Sequence, residues 1–548
     1  VGQFAPGRAG GPNATQGMEG DSTDNPWDYV FMLEGALVLA GAAVCRFGIA
    51  DSARAAFPFT VSAVAAGFDS PASKDEADSR GELWLPLWSR PTNAAELRQL
   101  FGEGRADVSG RRARDGTDFA RAVASLGVDR GIAGFSRLGF LKRRGKAFLA
   151  APLGRFEVVE RTGADLLRQA DSWLARFRDA AGDRKTPARF GSALRRLDSA
   201  IFDFCRYGGS SCFQSVLVAL GRVERELAGA ERFREAKKIK PLAGLSVDWI
   251  QQADDHSPEF AIARSLALIH DSQDRIGPLR VNLEPVDWQK RCRTWAEKDR
   301  SVVWNAADLA ANLANVLQRR VMDAARAGCR RLPLASRAAV PPDTIAAFIA
   351  GDLDDGRIEQ LIWGLMLIDG LTAAGADRAG RNPQAARPDR GREAAGIPGS
   401  SPPASPSLPR AYALLKLLYL PLPLAADHRD GELRWRFARD GETGIFIRPE
   451  PRILPLLRAG RIGEACRIAA QRLRVSGLAP APAPLPTGVM RDHEWSEKTV
   501  DLRDARRLAA TLLIPISSKT VNDLVRLVCR EVSATAEALA LSAEGESE

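Results

Sequence analysis

His270 and Asp271 are adjacent, with Asp254-Asp255-His256 upstream and Asp274 just downstream. Metal-dependent phosphohydrolases arrange such ligands around one or two cations, so this stretch carries an enzymatic reading: a metal-dependent nuclease or accessory nucleic-acid enzyme using His270 and Asp271. The competing reading is local. His270 closes an apolar helical run, Ala261 to Ile269, where an imidazole meets the negative end of a helix dipole. A hydrolytic centre also needs a wider ligand set than this segment displays. We therefore expect no catalytic residue and no metal site. The chain has no Walker-type phosphate loop, no Gly-x-Ser-x-Gly elbow and no His-Glu-x-x-His. The glycines among residues 2–20 lack the strand-to-helix setting of a dinucleotide fingerprint, so no cofactor is expected. Seven scattered cysteines do not form a disulfide framework, and Cys205 and Cys212 lack the spacing of a zinc site. A reducing, cytoplasmic setting is the simplest expectation.

Charge points instead to a polyanionic partner. The 548 residues carry 77 Lys and Arg against 68 Asp and Glu, a formal +9, and only local clustering of that excess says where a partner would bind. Residues 101–150 hold eleven basic and five acidic residues. Within them Arg105, Arg111, Arg112 and Arg114, then Lys142, Arg143, Arg144 and Lys146, fall in glycine-punctuated turns. There, guanidinium and ammonium groups reach phosphates without backbone movement, and we take these eight as the nucleic-acid-binding candidates. A second basic region, Arg184 to Lys240, has thirteen basic and six acidic residues. Its charges alternate with apolar positions at helical spacing, so it reads as solvated helix faces. Gln3, Asn13 and Gln16, in the glycine-rich opening, are candidate loop contacts. Trp27, Trp84 and Trp88 have the chemistry to stack on bases, but aromatics in regular elements usually belong to the core.

The elements that must position these residues change character along the chain. Asn25-Pro26 is a helix start, and the apolar run Tyr29 to Cys45 continues it; Glu34 interrupts the run, which argues for a buried helix and against a membrane span. Runs at Phe57–Val64, Glu82–Trp88, Ile132–Lys142, Ala147–Ala150 and Arg155–Val159 read as strands, with helices at Ala94–Phe101 and Asp115–Leu126. Residues 1–160 are thus an α+β front domain. Residues 161–372 form a helical middle domain, with one strand expected at Leu279–Leu283. Residues 373–409, rich in Ala, Gly, Pro, Arg and Ser, read as a flexible linker. Residues 410–548 read as a C-terminal helical bundle, a module only tethered to what precedes it.

Particular strings carry a family resemblance: Val1-Gly-Gln-Phe-Ala-Pro-Gly7, Gly10-Gly-Pro-Asn-Ala-Thr-Gln-Gly17, Asn25-Pro-Trp-Asp28, Met32-Leu-Glu-Gly35, Ala56-Phe-Pro-Phe-Thr60, Ser79 through Trp88, Asp118-Phe-Ala-Arg-Ala122 and Gly127-Val-Asp-Arg-Gly131. In these the chain resembles the large subunit of the type I-G (earlier I-U) CRISPR Cascade surveillance complex. The likeness is strongest over residues 1–160, looser through the middle and weakest after the linker. It implies a non-catalytic protein of antiviral defence that supports contact with the protospacer-adjacent motif, target DNA binding and unwinding. The partners it implies are CRISPR RNA, target DNA, the backbone, processing and small subunits, and a recruited helicase-nuclease, with no membrane. It also implies a longer N-terminus than Val1, and a small-subunit-like region at residues 410–548 that is open to separate production from an internal start such as Met322 or Met366.

Overall fold

The computed structural model describes residues 27, 30–35, 59–62, 81–103, 106–108, 110–128, 131–142, 148–183, 185–273, 275–296, 301–369, 408–429, 432–480 and 502–529. Of the helix expected to start at Asn25-Pro26 and run through Cys45, residues 27 and 30–35 are described and helical, and the expected linker at residues 373–409 lies outside the described residues except for its last two. Two compact units divide the chain near residue 223, the second taking almost everything beyond it.

In the first unit the strand runs pair as a four-stranded antiparallel sheet, β1 (Thr60–Val61), β2 (Glu82–Leu87), β5 (Gly134–Lys142) and β6 (Phe148–Glu157), in that spatial order. Among the described residues β1 pairs with β2 only at Glu82 and Leu83, short of Pro86. The two runs expected at 147–150 and 155–159 are one strand. Its proline and glycine mark a bulge opposite Arg137 and Leu138, where Gly154 has φ +110° and faces the Arg206 guanidinium. Helix α1 (Ala94–Glu103) and the short hairpin β3 (Asp107–Val108) and β4 (Arg111–Arg112) precede α2 (Gly116–Ala124). Asp115 caps α2 by accepting from the Asp118 N–H.

Phe119 of α2 lies stacked on Trp84 of β2, ring centroids 4.4 Å apart, and Phe135, Phe156 and Phe202 close round them. Trp84 is therefore core, whereas Trp88 and Trp27 are exposed. Helices α3 (Asp171–Ala181) and α4 (Ala188–Tyr207) complete this layer, and α5 (Gly209–Ala228) follows.

The second unit is built on α6 (Glu231–Ala236), α7 (Asp248–Ala253, its last residues counted with the first unit), α8 (Pro258–Ala267), α9 (Leu309–Arg326), α10 (Pro342–Ala350) and α11 (Asp355–Leu365). Side-chain caps Ser257, Asp308 and Asp354 start α8, α9 and α11. From residue 408 onward come α12 (Arg410–Lys416), the hairpin β7 (Leu424–Arg429) and β8 (Glu432–Phe437), α13 (Ile453–Arg458), α14 (Ile462–Val475), α15 (Leu502–Thr511) and α16 (Ser518–Val528). An α+β front followed by a mainly helical remainder is thus the fold.

Three local expectations need correction. Leu279–Asn282 is a turn of 3-10 helix, not a strand: its polar residues Arg280 and Asn282 are as buried as Leu279 and Val281, so the apparent alternation marks no solvent face. The C-terminal bundle contains the hairpin of β7 and β8, paired from Leu424 with Phe437 to Arg429 with Glu432, and the sequence signal that could have found it is an Asp-Gly dipeptide between alternating residues. Nor is that bundle merely tethered. Helix α15 packs on α9 and α10, and the Arg507 guanidinium donates to the Phe348 carbonyl at 2.8 Å and to Asp355 at 2.5 Å.

Candidate nucleic-acid interface

Of the eight basic candidates, the structure describes the side chains of three. Arg111 and Arg112 lie on β4 and Arg114 just beyond it, immediately before the capped start of α2. Arg112 and Arg114 are exposed. Arg111 is not available to a phosphate: its Nη1 and Nη2 donate to the two oxygens of Asp118 at 2.5 and 3.0 Å. Lys142 ends β5 opposite Phe148, and its side chain lies outside the described residues. Arg105, Arg143, Arg144 and Lys146 lie outside them too, as do Gln3, Asn13 and Gln16.

Two further arginines of the 101–150 excess are internal. Arg137, fully buried under the sheet, donates from Nε and Nη2 to Glu82 at 2.8 and 2.6 Å, and its guanidinium lies 4.5 Å from the centroid of Phe202. Gly116 makes this possible, since a Cβ there would come within 2.6 Å of the Glu82 carboxylate. Arg121 is buried beside Asp171, 2.6 Å away. A charge count along the sequence cannot separate such internal pairs from surface charge, which is why it overstates the patch.

Asp118 belongs to a buried network. Arg178 lies 3.6 Å from both Asp115 and Asp118 and 2.5 Å from Asp198. Burial pushes Asp118 upward, but the Arg111 hydrogen bonds and the Arg178 charge outweigh it and hold this carboxyl below its ordinary value. Burial wins at Asp115, raised above the ordinary range, and at Asp198, pushed up to about 6 despite Arg178. Four carboxylates and three guanidiniums are thus paired beneath the turn from β4 to α2, and the Arg114 N–H donates to Asp118 at 3.3 Å.

The rival metal reading meets a different geometry. Asp271 accepts from three backbone N–H groups, those of Gln273, Arg275 and Ile276, at 2.7–3.0 Å, so both of its oxygens staple a loop. His270 points Nδ1 at the Leu268 carbonyl, and its backbone N–H donates to Ala335. Asp254 accepts from Arg264 and from the His256 N–H, while Asp255 accepts from Ser257 and pairs with Arg357. Asp274 lies outside the described residues. Among the described residues no group of three or more His, Cys, Asp or Glu is placed to hold a metal ion. Cys205 is buried in α4, its thiol pushed up to about 12, and six described cysteines are free thiols.

No protein-family model matches the chain, and no curated protein matches it as a relative. Among the described residues, no helix is long and apolar enough to cross a membrane.

Proposed function

We propose that the chain is a non-catalytic, nucleic-acid-binding large subunit of a CRISPR RNA-guided DNA surveillance complex of the type I-G kind. The reading rests on the strings of residues 1–131 quoted above. The observation that carries its nucleic-acid component is the exposed pair Arg112 and Arg114, set on a turn whose underside is fixed by the Arg111–Asp118 pair. Exposed guanidiniums on an ordered turn can meet a phosphodiester backbone, and such binding falls with salt through counterion release. Its proposed partners remain guide RNA, target DNA, the other subunits and a recruited helicase-nuclease.

The test is binding of the full chain to labelled duplex DNA, single-stranded DNA and RNA across a salt series, alone and co-expressed with guide RNA and partner subunits. Salt-sensitive binding weakened by Arg112→Gln with Arg114→Gln supports the proposal. Manganese-dependent cleavage lost in Asp271→Asn would replace it with the nuclease reading.

A further inference from the structure

Arg184 to Lys240 reads in sequence as solvated helix faces, but its last residues leave the helix in a way that reading does not explain. Helix α6 ends in a left-handed turn at Lys238, φ +53°, with the Ile239 N–H returning to the Arg234 carbonyl. Glycine ordinarily fills that position, because a Cβ is strained there. Segment 286–296 repeats the anomaly twice, with Arg291 at φ +53° and Cys292 at φ +54° in succession. These are three of the five left-handed non-glycine residues among the described ones.

The Lys238 turn and Cys292 meet at one indole, and the Arg291 N–H returns to the Trp288 carbonyl. Trp295 donates its Nε1–H to the Ile239 carbonyl at 2.8 Å, and the Arg234 guanidinium covers its ring at 4.5 Å. Across the loop the Val286 and Trp295 backbones pair, and Cys292 is buried with Val281 and Val286 against Trp288 and Trp295. The turn is thus pinned from inside by aromatics while Gln289, Lys290, Arg291 and Arg293 face out, next to exposed Lys238 and Lys240.

Residues 231–240 and 287–293 together carry eight basic and three acidic residues. The carboxylates facing this surface are Glu231, Glu235, Asp287, which pairs with Lys290 at 3.3 Å, and Asp369, which burial raises above its ordinary value against the opposing charges of Arg280, Arg293 and Arg291. Left-handed backbone retained at charged residues, where glycine would relax it, is strain kept for what those side chains do.

We propose that the surface of residues 231–240 and 287–293 is a phosphodiester-binding site of the second unit, separate from Arg112 and Arg114. The proposal rests on the nucleic-acid reading above. Lys290, Arg291 and Arg293 are its principal contacts, and Lys238 and Lys240 extend it. Trp288 and Trp295 are committed to the interior, so the site takes the backbone and reads no base.

The test uses the full chain with single-stranded DNA, RNA and duplex DNA of equal length. The triple variant Lys290→Gln, Arg291→Gln, Arg293→Gln should lose about tenfold in affinity for at least one probe, and its log–log salt slope should shrink by about 2–3. The preferred probe identifies the source of the backbone. A control removing the same charge elsewhere in this unit, Arg326→Gln, Arg452→Gln, Arg461→Gln, should change binding little. Arg291→Gly should raise or preserve the melting temperature while weakening binding two- to threefold or so, a combination that a purely structural role would not give. Equal losses in both triple variants, or undiminished binding by the loop variant, overturn this site and leave the reading at Arg112 and Arg114 standing. A wild-type chain that binds none of the three probes overturns both.

Discussion

Arg111 grips both carboxylate oxygens of Asp118, at 2.5 and 3.0 Å, with the aspartate almost wholly buried. The first arginine of an Arg-Arg-Ala-Arg run is therefore a strut and the other two are free to face solvent. Neighbours identical in sequence chemistry consequently have opposite expected phenotypes. Arg111→Ala leaves a buried carboxylate with weaker compensation and should cost about 1–2 kcal/mol, the lower end applying because the arginine itself is a third exposed. Arg112→Ala with Arg114→Ala should leave the denaturation midpoint unchanged and lower nucleic-acid affinity. Paired melting and binding curves check this, and a destabilised Arg112/Arg114 variant would contradict it.

Asp198 gives the front unit a pH signature. Its folded pKa is raised to about 6 by burial, with Asp115 and Asp118 adding to the shift and Arg178 opposing it. The folded state therefore binds this proton more tightly than the unfolded chain does. Stability from this group is full below pH 4 or so and is lost as pH rises through about 6. Asp198→Asn should thus be more stable than wild type at neutral pH, by up to about 3 kcal/mol, with the gap closing near pH 4. Denaturant titrations across that range measure it, and a gap that grows on acidification would reverse the sign.

Lys416 is fully buried on α12, and its ammonium donates to the Leu512 carbonyl at 2.7 Å. Desolvation lowers it to about 7. Here the unfolded chain holds the proton more tightly, so stability from this group rises with pH between about 7 and 10. Lys416→Met keeps the stem's apolar packing and forfeits one hydrogen bond, and should stabilise by on the order of 2 kcal/mol at pH 7 or below. The difference should shrink toward pH 10. A destabilised Met variant at pH 6 would show that the ammonium contributes more than its burial costs.

The element α14, whose buried and exposed faces differ, was legible in the sequence, with Ile462, Ala465, Cys466, Ala469 and Leu473 on one face, and α2 was legible through its Asp115 cap, although every one of its residues is buried. What stayed hidden were charges whose partners are distant along the chain. Arg137 and Glu82 stand 55 residues apart, and Arg280 and Glu224 stand 56 apart. Nothing local marks any of these as internal, so Arg137 entered the charge count as surface. The same blindness made Arg280 and Asn282 look like the wet side of a strand. Of the candidate site, the exposure of Arg112 and Arg114 agrees with their sequence setting in a turn, whereas the left-handed backbone at Lys238 and Arg291 has no signal in the sequence.

The helices from Arg410 onward pack against those before residue 370. Their apolar content suggests a self-sufficient bundle, yet α15 packs on α9 and α10, with Ala505, Leu508 and Ala509 buried. The Val340 N–H also donates to the Pro515 carbonyl at 3.0 Å, and Arg458 reaches Asn315 at 2.9 Å. Arg507 adds two hydrogen bonds and a cation–π contact with Phe348 at 5.1 Å. Proteolytic cleavage confined to residues 370–407 should therefore leave fragments that co-elute on size exclusion under native conditions. Arg507→Ala should cost about 2–3 kcal/mol, because it strips a half-buried carboxylate and a carbonyl together, and should make the cleaved fragments separate at lower denaturant. Residues 408–548 expressed alone should expose the α15 face and aggregate or bind a hydrophobic dye. Fragments that part without denaturant, or an isolated tail as stable as the intact chain, would return the bundle to the status of a tethered module.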